Sequence, residues 1–122
     1  MPIVDIKLVL RKDASPRPRL ARAIADAVGA ALHLPPGRVW VRVSAIAEQD
    51  YAENGTSEAE TDTPVFVSVL HAVLPPQPAL QTEASVLAST IAGVVGTGAN
   101  LVHIEYAPPG KGRIAFGGIL LE

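Results

Sequence analysis

The sequence has no cysteine, which removes thiol nucleophiles, disulfides, Cys-ligated zinc and iron–sulfur clusters from consideration. Aromatic residues make up 4% of its 122 positions, too few for a platform on which bases could stack. Basic charge is not in excess: 10 Lys and Arg face 12 Asp and Glu, a net charge of −2. A nucleic-acid binder needs a basic face, so no nucleic acid is expected as a partner. No apolar run approaches the ~18 residues of a spanning helix, and no apolar leader with a small-residue cleavage site follows Lys7, Arg11 and Lys12. These absences point to a soluble cytoplasmic domain without a membrane partner. Motifs are missing as well. There is no GxGxxG or GxxxxGK[ST] phosphate cradle and no GxSxG elbow. His33, His71 and His103 have neither HExxH nor paired spacing, so neither metal nor cofactor is expected.

What is present is a hydrophobic chain, 48% apolar, with 11 prolines and 10 glycines. Its length suits one domain over residues 1–122 with a core large enough to stand alone. Residues 3–10 alternate branched apolar side chains with Asp5 and Lys7, a strand pattern. Ser15 is placed to cap a helix with Pro16 at its first position. Leu20, Ile24, Val28 and Leu32 then recur at about every fourth residue until Pro35-Pro36-Gly37 stops the helix. Residues 38–43 alternate again. The order then repeats: an apolar strand from Val65 to Leu74, a helix opened by Pro75-Pro76-Gln77-Pro78, and a strand from Leu101 to Tyr106. The stripe of that second helix is Leu80, Ala84, Leu87, Ile91 and Val94.

The expectation is an α+β fold of two pseudo-symmetric β-α-β units, residues 2–43 and 65–106. Together they make a four-stranded sheet with two helices on one face. Between them, residues 44–64 hold Glu48, Asp50, Glu53, Glu58, Glu60 and Asp62 and no Lys or Arg, a composition typical of a solvated loop. The tail, 107–122, is rich in turn residues and carries Gly117-Gly118, which predicts a short hairpin or a strand added to a neighbour's sheet. The sheet's other face has no helix to cover it, so a homo-oligomer is expected.

With phosphate, thiol and metal chemistry set aside, and half of the carboxylates gathered in one loop, Pro2 stands out at the head of a buried strand. Initiator methionine is generally removed before a small residue, which would leave Pro2 as a secondary amine. An apolar pocket disfavours the cationic form of such an amine, making a general base that works at neutral pH.

Met1-Pro2-Ile3-Val4, the doubled β-α-β unit, Leu34-Pro35-Pro36, Val69-Leu70-His71-Ala72-Val73 and the stretch from Lys111 to Gly118 together resemble the tautomerase superfamily. Its members use an amino-terminal proline and assemble from β-α-β units. The resemblance runs over nearly the whole chain, and its length matches the double-unit members, which are trimers. It implies Pro2 and His103 as catalytic residues. His103 falls where relatives carry a substrate-binding arginine or a tyrosine, and Glu105 falls two residues on, on the same strand face. Glu105, Phe116, Ile114 and Val73 are expected as substrate contacts, with Ile114 in the place of a pocket phenylalanine, and Arg38 and Arg113 are expected to hold an acidic substrate. His71 reads as a hydrogen-bonded core residue. The implied activity is cofactor-independent enol–keto tautomerisation of a small carboxylate-bearing enol or keto acid by a homotrimer.

Departures narrow that expectation. The dehalogenase and decarboxylase branches carry arginines after strand three, whereas Leu74-Pro75-Pro76-Gln77-Pro78 has none. Ala115 stands where a dehalogenase has a water-activating carboxylate. Those same losses, with the negative charge of Glu105, keep open a second reading: a binding or assembly protein on the same fold.

Overall fold

The computed structural model describes residues 2–57 and 62–122. Met1, Glu58 and Glu60 therefore lie outside the described residues. Four strands form the main sheet: β1 (Ile3–Leu10), β2 (Trp40–Ala47), β3 (Val65–Leu70) and β4 (Val102–Tyr106). They stand in the order β2-β1-β3-β4. Helix α1 (Leu20–Ala31) joins β1 to β2, and α2 (Ala79–Val95) joins β3 to β4. Each unit pairs its two strands in parallel, and the units meet through the antiparallel pair β1–β3. This is the α+β arrangement of two like units that the sequence predicts.

Strand parity builds the core. Val4, Ile6 and Leu8 of β1 and Val65, Val67 and Val69 of β3 point to one face and are buried there. Leu20, Ile24 and Val28 of α1 and Leu87 and Ile91 of α2 cover them in a single cluster. The other face is open. Trp40, Ile3 and Leu70 share one row across it, and Arg42, Asp5, Ser68 and Glu105 share the next. The third runs Ser44, Lys7, Phe66, His103.

Several boundaries differ from the sequence pattern. Ser15 caps no helix, because α1 starts at Leu20 behind Arg19, which takes a left-handed conformation at φ 61°. Pro18 disfavours helical geometry at Arg17, so the chain turns through 15–19 before a helix can begin. β2 runs on to Ala47, four residues into the stretch assigned to the acidic loop. The eight residues of β1 pair it over its full length, ending at Leu10–Ala47. β3 stops at Leu70 rather than Leu74. Beyond it the tail takes over, with the Gly110 and Lys111 amides donating to the carbonyls of His71 (2.8 Å) and Ala72 (3.0 Å). β4 begins at Val102, one residue late, after a short helical turn at Ala99–Leu101.

The tail closes as a hairpin of β5 (Ala115–Phe116) and β6 (Ile119–Leu120). Gly117 and Gly118 make its turn at φ 59° and 87°, a pair of left-handed residues that suits a two-residue hairpin. No helix among the described residues is long and apolar enough to cross a membrane.

Candidate active site

Pro2 lies at the head of β1 and is fully buried. Its parity is that of Val4 and Ile6, so its ring faces the helix side of the sheet. The Trp40 amide donates to the Pro2 carbonyl at 3.1 Å, which joins the start of β2 to the start of the chain. Trp40 is held in turn by its indole N–H, which donates to the Gly37 carbonyl at 3.0 Å. The ring of Phe116 meets it edge to face, with centroids 5.3 Å apart. That contact holds the hairpin against the start of β2.

The neighbouring strand contributes from the other side. The register ends by pairing Ile3 with Leu70, and His71 follows directly after β3. Gly110 lies under the His71 carbonyl, and a side chain there would meet the Ile114 Cγ2 at 3.1 Å, so glycine lets the tail close onto β3. Ile114 is thereby packed at this same end, donating its amide to Gly110 at 2.9 Å. Val73 follows β3 and is largely exposed at 64%. Arg38, just before β2, and Lys111 and Arg113, in the tail, are exposed cations flanking the end. Pro2, Trp40 and Phe116 are thus linked in series at this end, and Ile114 packs by Gly110, while Val73, Arg38 and Arg113 occupy exposed positions next to these elements in the chain.

His103 and Glu105 do not join them. Both side chains of β4 emerge on the open face, where the His103 ring lies 5.7 Å from that of Phe66. With Asp5, Lys7, Ser44 and Ser68 they line a depression of about 460 Å³. Asp5 also accepts two hydrogen bonds from Arg42, at 2.6 and 2.8 Å. Among the described residues, no group of His, Asp and Glu is arranged to hold a metal ion.

The structure also assembles a polar cluster that the sequence pattern alone did not single out. Glu83, on α2, accepts from the Tyr106 hydroxyl at 2.8 Å and meets His71 Nε2 at 2.8 Å, both through Oε2. The His71 and Tyr106 rings stack at 6.0 Å. The side chains of His71 and Glu83 are only 12% and 13% exposed. Burial first, then the hydrogen bond and negative charge of Glu83, push the Tyr106 phenol well above its ordinary range. A signal for Glu83 does exist in the sequence, since it falls with Leu80, Ala84 and Leu87 on the inward stripe of α2.

No protein-family profile matches the chain, and no curated relative does. Solved structures do match. A macrophage migration inhibitory factor from Oncomelania hupensis superposes with a TM-score of 0.73 at 16% identity, over 100% of this chain and 83% of that one. A malonate semialdehyde decarboxylase inhibited by 3-bromopropiolate superposes with a TM-score of 0.68 at 21% identity, over 94% and 88% of the two chains. A fused 4-OT, solved as a symmetric trimer, gives 0.71 at 15%, over 97% and 94%. This chain has the fold those proteins share.

Proposed function

We propose that the protein is a cofactor-independent isomerase of the cytoplasm, with Pro2 as general base once Met1 is removed. Its reaction is the enol–keto tautomerisation of a small 2-hydroxy-dienoate or 2-keto acid. The observation that carries this reading is the placement of Pro2: fully buried at the head of β1, with its carbonyl tied to the Trp40 amide at the start of β2. Burial keeps the amine dry and favours its neutral, basic form. Pro2 takes a proton from the enol hydroxyl or α-carbon and returns it at another carbon. Arg113 and Arg38 hold the substrate carboxylate, and Ile114, Phe116 and Val73 enclose its apolar part.

His103 and Glu105 enter the site from a neighbouring copy in a homotrimer, His103 as a group that polarises the substrate oxygen. Support for the assembly comes from the trimeric fused 4-OT of the same fold and from the uncovered sheet face. The test begins with intact mass, which must show the loss of one methionine. Phenylenolpyruvate and 2-hydroxymuconate are the first substrates to assay. Pro2→Ala is expected to lower kcat/KM by about 10²-fold or more; an unchanged rate overturns the mechanism. A binding or assembly role without chemistry is the second reading, favoured by the exposed carboxylate of Glu105. A decarboxylase role has a neighbour in its favour but lacks arginines after β3.

A further inference from the structure

The sheet has two ends, and Pro2 marks one of them. At the other, where β1 finishes and β3 begins, lies a cavity of about 320 Å³, a size that suits a small molecule. Four elements wall it: Leu10 of β1, Thr63 and Pro64 ahead of β3, Leu20 of α1 and Val95 of α2. Leu20 and Pro64 are buried, so part of the wall is dry and apolar.

Arg17 is the one charged group among the described residues that line this cavity. It stands on the turn ahead of α1, and its Nη2 donates to the Val94 carbonyl at 2.9 Å, in the last turn of α2. A guanidinium carries several N–H donors in a planar fork. One bond therefore anchors the group and leaves donors that match a carboxylate. Ser15, Thr63 and Thr97 add hydroxyls to the lining, and none of these is hydrogen-bonded to a described residue.

The charge nearby favours an anion. Residues 11–22 hold Arg11, Lys12, Arg17, Arg19 and Arg22 against Asp13 alone, although Arg11 is bound to Glu48. Asp13 and Asp62 are exposed, and neither lines the cavity. Asp26 of α1 lies instead beside Gly29 and Pro35, and Glu83 of α2 is engaged with His71.

We propose that this end of the sheet is a second ligand site, which binds a small monocarboxylate with an apolar body. Leu10, Leu20 and Val95 take the apolar part, and Arg17 with the neighbouring hydroxyls takes the carboxylate. An arginine does not give up its proton in a protein, so the lining holds no general base. The site binds its ligand without turning it over, and it stands apart from the reading of Pro2 as a base.

The test uses 3-phenylpropionate, which has no keto or enol group to isomerise, and amide NMR of the full chain labelled with ¹⁵N. The Leu20, Val65 and Thr97 amides should shift and saturate, with a Kd of about 1 mM or below. Arg17→Met keeps an apolar stem without the charge and should raise that Kd about tenfold. The uncharged 3-phenylpropanamide should bind wild type about as weakly as the acid binds the variant. Trp40 is the single tryptophan and its amide meets the Pro2 carbonyl, so its fluorescence should not change. If Arg17→Met does not fold, Arg17→Lys keeps the charge, loses the fork and must weaken binding about threefold. Shifts confined to Trp40, Ile114 and Phe116 would put the acid at the Pro2 end and overturn the inference. So would an unchanged Kd in the variant, or no saturable shift at about 10 mM ligand. Shifts at Leu20, Val65 and Thr97 that follow protein concentration would also overturn it, marking this end as a contact between copies.

Discussion

Tyr106→Phe isolates one hydroxyl whose environment is fully specified. In the folded chain that hydroxyl donates to Glu83 Oε2 at 2.8 Å, and its ring is half-buried against His71. A hydrogen bond to a charged acceptor contributes about 1.5–3 kcal/mol. Partial exposure lets water replace some of that, so a loss of about 1–2 kcal/mol at neutral pH is expected. The pH dependence carries the sharper test. Folding raises the phenol pKa, whereas the unfolded chain releases this proton near pH 10. Above that pH the unfolded state holds fewer protons than the folded state, so the slope of unfolding free energy with pH is negative. The contribution of Tyr106 is therefore complete below about pH 10 and fades as pH rises beyond it. Urea unfolding by circular dichroism at pH 7, 9, 10.5 and 11.5, at fixed protein concentration, measures the wild-type and variant curves. The gap between them should narrow above pH 10. Other alkaline titrations are common to both proteins, and Tyr51, raised by its hydrogen bond to Glu53, is controlled by Tyr51→Phe. Curves that stay parallel from pH 7 to 11.5 would refute the assignment of Tyr106 as a buried donor to Glu83.

Leu87→Ala removes a side chain with no exposed surface from the centre of the α2 contact. Lost burial and the cavity left behind should cost about 3 kcal/mol in urea unfolding. A change below about 1 kcal/mol would mean the helix is not seated as described. Arg42→Ala breaks a two-pronged pair with Asp5, but both partners are exposed. Its urea midpoint should stay within error of wild type at 0.15 M salt, because solvent and ions screen such pairs.

Much of the fold was legible because it depends on local periodicity. The alternation in β1, the four-residue stripe in α2 and the Gly-Gly turn all survive in the structure. What failed to show locally is what neighbours decide. Ser44 to Ala47 look like loop in isolation, yet β1 offers them partners out to Leu10. The start of α1 depends on a conflict between Pro16 as a good first residue and Pro18 as a constraint on Arg17. The site divides in the same way. Phe116 reaches the start of β2 and Ile114 packs by Gly110 because the tail binds across His71 and Ala72, a long-range event. Glu83 was marked by its own helix stripe, but its meeting with Tyr106 needed the register that sets Val69 beside Tyr106.

Parity also ties the proposed chemistry to assembly. Pro2, like Val4 and Ile6, belongs to the helix-covered face, whereas His103 and Glu105 belong to the open one. A sheet keeps its two faces apart, so these residues cannot meet within one chain without breaking the register that the core enforces. If they serve one site, a second copy must bring its β4 against the Pro2 end of the first. That end has the character of a contact surface: Trp40, Val73, Ile119 and Leu120 are 49–77% exposed around it. Burying them would repay association, and it would also exclude water from the amine. On this geometry the isolated chain holds half a site, and the same contact that hides its exposed apolar side chains supplies the other half.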